Sequence, residues 1–144
     1  MTVSIGADHA GYPYKDAIKR WLVANGHQVI DHGTNSEDSV DYPDFVHPVG
    51  NDIDSGKSEM GVVMCGSGNG VAMTVNKHRK VRAALCWKPE IASLARKHNN
   101  ANVLAIPVRF VSQETALNML KIFMETKFEG GRHERRVKKI TTND

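Results

Sequence analysis

No uninterrupted apolar stretch in this chain approaches the ~20 residues that a membrane-spanning helix requires. The opening Met1-Thr2-Val3-Ser4-Ile5-Gly6 lacks the basic-then-apolar layout of a secretion signal. A soluble, cytoplasmic protein with no membrane partner is therefore expected. Cysteine is scarce: Cys65 and Cys86 are too few for a disulfide framework, and neither stands in the Cys-x-x-Cys spacing of zinc or thiol-exchange sites. That leaves room for a free, reactive thiol. The histidines, His9, His27, His32, His47, His78, His98 and His133, form no His-x-x-x-His pair and no Cys/His cluster along the chain, so no metal is expected. Internal repeats, low-complexity tracts and Pro/Ser-rich linkers are also missing. The 144 residues, 40% of them hydrophobic, should build one domain, spanning 1–144, around one core. Net charge is only +3, but the basic residues gather at 77–82 and 132–139, a distribution that favours an anionic ligand.

Short β-rich runs at 2–6, 27–31, 61–65, 82–86 and 103–106 alternate with helical patterns, and this rhythm predicts a parallel sheet. Pro13 is placed to open a first helix with Ala17, Ile18, Trp21 and Leu22 on one face and Gly26 at its end. Tyr42, Phe45, Val46, Val49 and Ile53 trace a second helical face before Gly56. Ala116, Leu117, Leu120, Phe123 and Met124 trace another behind a Ser112 cap. These stripes read as core. Five parallel strands with helical crossovers give an open three-layer α/β domain, in which ligands gather beyond the carboxyl ends of the strands. The segment from about 130 is basic, with only Val137 and Ile140 as apolar anchors, and is expected to dock on a surface rather than enter the core.

The most informative stretch is Gly61-Val62-Val63-Met64-Cys65-Gly66-Ser67-Gly68-Asn69-Gly70-Val71, a buried strand running into a glycine turn and then a helix. Such a turn presents unobstructed backbone N–H groups beside a helix start and can hold a phosphate or an oxyanion. The stretch lacks the Lys-Ser/Thr ending of a nucleotide P-loop, and its glycines miss the dinucleotide spacing by one residue. Val71 also stands where a tyrosine-phosphatase loop needs arginine. Cys65 sits where a helix start favours the thiolate, which suits a base or a nucleophile. Cys86 ends a strand followed by Trp87-Lys88-Pro89 instead of a glycine nest, and reads as structural.

Taken together, Gly6-Ala7-Asp8-His9-Ala10-Gly11, Asp41-Tyr42-Pro43-Asp44-Phe45, the Cys65 loop, His98-Asn99-Asn100-Ala101-Asn102 and Gly130-Gly131-Arg132-His133-Glu134-Arg135-Arg136-Val137 resemble the type B ribose-5-phosphate isomerase family, in the same order over nearly the whole chain. The resemblance implies a Rossmann-like fold and no cofactor. It also implies a homodimer or dimer of dimers with active sites at the subunit interface, the segment from about 130 docking on the partner, and interconversion of ribose 5-phosphate with ribulose 5-phosphate. Relatives acting on allose or galactose 6-phosphate share the scaffold. Carried over by position, Cys65 would move the proton from C2 to C1, with Ser67 near the ring oxygen and His98 opening the ring. Asp8 and Asn99 would bind sugar hydroxyls, the backbone of Gly66, Gly68, Asn69 and Gly70 would steady the enediolate, and His9, Arg109, Arg132 and Arg136 would hold phosphate. Ser67 stands where many members have threonine. Trp87-Lys88 replaces an expected His-Asp pair, and the turn carrying Arg109 has less glycine than expected.

Single residues also admit plainer roles. Asp8 could cap the next helix, His98 could answer a helix dipole, and the arginines after 131 could form a solvated basic face. Asp41 and Asp44 read as the start of a helix. A non-catalytic nucleotide or nucleic-acid module would use the same basic clusters, but neither cluster interleaves aromatic residues with its charges as single-strand binders do. A hexose 6-phosphate isomerase, acting alone or as half of a hetero-oligomer, is the nearer alternative.

Overall fold

In the computed structural model, which describes residues 1–142, the strands are β1 (Thr2–Ala7), β2 (Gln28–Asp31), β3 (Met60–Cys65), β4 (Ala83–Leu85) and β5 (Val103–Pro107). They alternate with α1 (Tyr12–Ala24), α2 (Tyr42–Ser55), α3 (Asn69–Val75), α4 (Pro89–Asn99) and α5 (Gln113–Glu125), and α6 (Arg132–Lys138) follows. All strand pairs are parallel, in the order β2-β1-β3-β5-β4. The expected five-stranded parallel α/β fold is what forms. β4 is shorter than the sequence pattern suggests, covering only three residues at the sheet edge.

The strand order dictates the layers. A right-handed crossover places its helix on one sheet face when the chain steps one way and on the other face when it steps back. The chain steps one way from β1 to β2 and from β4 to β5, and the opposite way from β2 to β3 and from β3 to β4. Accordingly α1, α4 and α5 pack together on one face, and α2 and α3 on the other. Alternation along each strand feeds the two cores. Val3, Ile5, Val62, Met64, Leu104 and Ile106 face the α1/α4/α5 side with Phe123 and Leu120. Val63, Cys65, Val103 and Ala105 face the α2/α3 side with Val46, Val49 and Val75. Each fully buried aliphatic or aromatic side chain contributes about 1.5–3 kcal/mol.

Local signals set the helix ends. Proline occupies the first turn of α1, α2 and α4, where its missing N–H has no intrahelical partner to lose. Ser112 Oγ accepts from the Thr115 N–H at 3.0 Å to start α5. Left-handed Gly56 closes α2, and Gly130 and Gly131, both at positive φ, turn the chain so that α6 folds back onto α4. No helix among the described residues is long and apolar enough to cross a membrane.

Candidate active site

β1 and β3 are neighbours whose following helices leave on opposite faces, so their carboxyl ends flank the crevice where such sheets bind ligands. A cleft of about 480 Å³ opens there, lined by Asp8, His9, Ala10, Tyr42, Cys65, Gly66, Ser67, Gly70, Arg109 and Phe110. Size alone does not select it, because a depression of about 560 Å³ near Ile53, Arg79 and Asn102 is larger. That depression lies at the other sheet edge and brings no cysteine.

Cys65 is the last residue of β3 and only 5% exposed, with Sγ accepting the Gly68 N–H at 3.2 Å. That hydrogen bond requires the loop to double back, and Gly68 does so at φ +76°. A side chain there would be strained and would drive into Leu85. Ser67 is exposed, and its Oγ accepts the Asn69 N–H at 3.3 Å. Two of the loop amides expected to face a substrate therefore serve the loop itself, while Gly66 and Gly70 line the cleft. Burial pushes the Cys86 thiol up to about 12, so this fully buried cysteine stays protonated and structural.

Asp8 is 7% exposed, and its Oδ1 accepts the N–H groups of Ala10 and Gly11 at 2.9 and 3.0 Å. It thus organises the turn before α1 as well as lining the cleft. The Val40 N–H donates to His9 Nδ1 at 3.2 Å, which fixes the neutral ring as the tautomer whose Nε2–H is the remaining donor. Arg109, despite its glycine-poor turn, does reach the loop. Its N–H donates to the Gly66 carbonyl at 3.0 Å, and its guanidinium lies so close that a Gly66 Cβ would sit 3.2 Å from Nη1.

Two lining residues were not among the expected site residues. Tyr42, placed by the sequence on a core stripe, is 38% exposed at the first turn of α2. Its ring fills the space beside Gly70, where a Cβ would lie 2.6 Å from Cζ. Phe110, 76% exposed, follows Arg109 onto the rim. Position in the fold was the missing signal in both cases, since each aromatic sits beyond the carboxyl edge of the sheet. The expected helix start at Asp41 and Asp44 does form, with Asp41 as the cap residue and Asp44 in the first turn.

The other expected residues are elsewhere. α4 begins beside β4's carboxyl end and runs back down the sheet, so His98 and Asn99 finish near the opposite edge, just before β5 begins. Arg132 and Arg136 are exposed on α6, which packs on α4. Here the fold assembles histidines that the linear spacing kept apart. The His98 and His133 rings stack at 4.3 Å and 11°, and each Nε2 lies 3.6 Å from Glu129 Oε1. Partial desolvation, His98 and the charges of Arg132 and Arg136 hold His133 below the usual histidine value, against the pull of Glu129.

Residues 3–140 match the family described as Ribose/Galactose Isomerase. The chain is 38% identical to ribose-5-phosphate isomerase B of Escherichia coli (strain K12) over 139 residues, covering 96% of this chain and 93% of that protein. Among solved structures, a ribose 5-phosphate isomerase of Thermotoga maritima superposes with a TM-score of 0.93 at 45% identity, covering 97% of both chains. Ribose-5-phosphate isomerase B of Mycoplasma genitalium, solved with bound ribulose-5-phosphate, gives 0.93 at 38% identity, covering 96% of this chain and 93% of that one.

Proposed function

Since this chain belongs to the ribose/galactose isomerase family, we propose that it interconverts ribose 5-phosphate and ribulose 5-phosphate in the cytoplasm, with Cys65 as the base. The observation that carries the reading is the Cys65 sulfur in one cleft with Asp8, His9 and Arg109. The thiolate takes the C2 proton of the open-chain aldose, and the electron pair moves toward the C1 oxygen to give an enediolate. The thiol, whose proton exchanges with solvent while the enediolate lasts, then protonates C1 as a hydroxyl proton passes from O2 to O1, so the ketose forms with no net gain or loss. Aiming donors at the oxygen that becomes negative matters as much as the base, since one lost donor costs about 3–4 kcal/mol and a general base contributes ~10²–10⁴ in rate. Gly66 and Gly70 are the loop residues placed for it. His9 and Arg109 suit the phosphate, and Asp8, with one oxygen committed to its turn, offers the other to a sugar hydroxyl.

His98, Asn99, Arg132 and Arg136 complete the site from a second copy of the chain. Their own copy holds them at the wrong edge of the sheet, whereas a homodimer can present α4 and α6 of one subunit to the Cys65 cleft of the other. His98 then opens the sugar ring, and the two arginines add charge-assisted contacts to the phosphate. The test is isomerisation in deuterated water with ribose, allose and galactose phosphates side by side. Turnover of ribose 5-phosphate with deuterium entering the sugar carbon, and loss of that exchange in Cys65→Ala, is the expected result. Persistent exchange in Cys65→Ala would remove the thiol as base, and faster turnover of a hexose phosphate would move the substrate.

A further inference from the structure

His98, Glu129 and His133 are 35 residues apart at their extremes, yet their donor atoms all lie within 4.8 Å of one another. The backbone makes the cluster. The Glu129 N–H donates to the Lys97 carbonyl at 3.1 Å, next to His98, and Gly130 and Gly131, both at positive φ, start α6 with His133 over His98. Two imidazoles around one carboxylate that is itself 50% exposed contribute little as ion pairs, so stability does not account for the arrangement. As a ligand set it is well matched. Tetrahedral zinc holds nitrogen and oxygen at ~2.0–2.1 Å, which puts neighbouring donors about 3.3–3.4 Å apart, and both histidine nitrogens already stand 3.6 Å from the shared Oε1.

We infer that His98, Glu129 and His133 form a site for a divalent transition metal, Zn²⁺ in particular, held by two imidazole nitrogens and one carboxylate oxygen with a coordination position left open. Such a donor set selects borderline metals over calcium or magnesium, which prefer all-oxygen cages. Binding requires the stacked rings to splay so that their lone pairs converge, and within its own chain the His98 side chain is 42% exposed, so no neighbouring side chain of that chain blocks the movement. The charges of Arg132 and Arg136, which act on His133, oppose a cation and make the site weaker than a closed structural zinc site. Capture of His98 by the metal removes the group assigned to ring opening. The inhibitory consequence thus rests on the proposed isomerase reaction, whereas metal binding itself does not.

The experiment is a titration of the chelator-treated full chain with Co²⁺, read by its visible absorption and by displacement with Zn²⁺, followed by activity on ribose 5-phosphate with and without Zn²⁺. About one Co²⁺ per chain is expected, with Glu129→Gln and His133→Asn each weakening uptake by at least about tenfold. His47→Asn, which breaks the other imidazole pair (His47 Nδ1 to His78 Nε2, 2.7 Å), should leave uptake unchanged. Absence of uptake, uptake unaffected by either ligand variant, or uptake lost in His47→Asn would overturn the site. The two readings fail separately: cobalt binding without any isomerisation counts against the enzyme assignment alone, and isomerisation indifferent to Zn²⁺ with no cobalt binding counts against the metal site alone.

Discussion

Two inactive variants of this protein should restore each other when mixed. Cys65 pairs with Pro107 across β3 and β5, whereas His98 precedes Val103, the residue that begins β5. Four strand rises separate Val103 from Pro107, about 13 Å at ~3.3 Å per residue, and His98 lies further out still. Proton transfer needs groups within ~3 Å of the substrate atom, so one chain does not bring the thiol and the imidazole to the same sugar. If sites form between two copies, Cys65→Ala and His98→Asn disable different halves. Co-refolded one to one, about half of the resulting dimers are mixed. Each mixed dimer holds one doubly damaged site and one intact site, giving about a quarter of the wild-type activity. The assay is ribulose 5-phosphate formation before and after co-refolding, compared with Cys65→Ala mixed with Asp8→Asn, whose lesions share a half and should not complement. No recovery in the first mixture, or equal recovery in both, would refute the shared site.

Gly68→Ala should destabilise the chain by about 1–3 kcal/mol, because φ is +76° and the new methyl meets Leu85. It should also cut kcat by disturbing the N–H that donates to Cys65, as denaturant unfolding and steady-state kinetics would reveal. Alkylation of the native protein should label Cys65 in its cleft and spare Cys86, whose thiol is fully buried and pushed up to about 12; mass spectrometry of the digest separates the two. Acid should unfold the protein partly through Asp52 and Asp31. Burial works against both carboxylates, yet hydrogen bonds from Ser4 and His32 with the charges of His32 and Lys57 hold Asp52 below its ordinary value, and Lys15, the Gly33 N–H and Lys19 do the same for Asp31. A carboxylate lowered in the folded state binds fewer protons there than in the unfolded chain. Its stabilisation is therefore complete above ~3.9 and lost as pH falls through the folded value. Thermal unfolding between about pH 5 and 2 should show a shallower decline in Asp52→Asn than in wild type.

What the chain determined by itself was local. A run such as Gly61–Cys65 followed by Gly66, Ser67 and Gly68 fixes strand, turn and helix start within a dozen residues, because backbone torsions and nearby hydrogen bonds decide them. Pro13, Gly56 and the Ser112 cap were legible for the same reason, as was a parallel sheet from the alternation of strands and helices. The order β2-β1-β3-β5-β4 was not, since nothing in the spacing of β4 and β5 says that the chain goes to the sheet edge and steps back. The antiparallel run that every crossover helix makes between parallel strands carries His98 to the edge opposite Cys65, splitting a site whose residues look equivalent in the sequence, and that step sends α4 to the face of α1 and α5. It also brings Glu129 and His133 to His98, and the placement of α2 at the carboxyl edge converts Tyr42 from a core residue into a cleft wall. Contacts between distant segments arise from crossover handedness and packing of whole layers, and these belong to the assembled sheet rather than to any stretch of it.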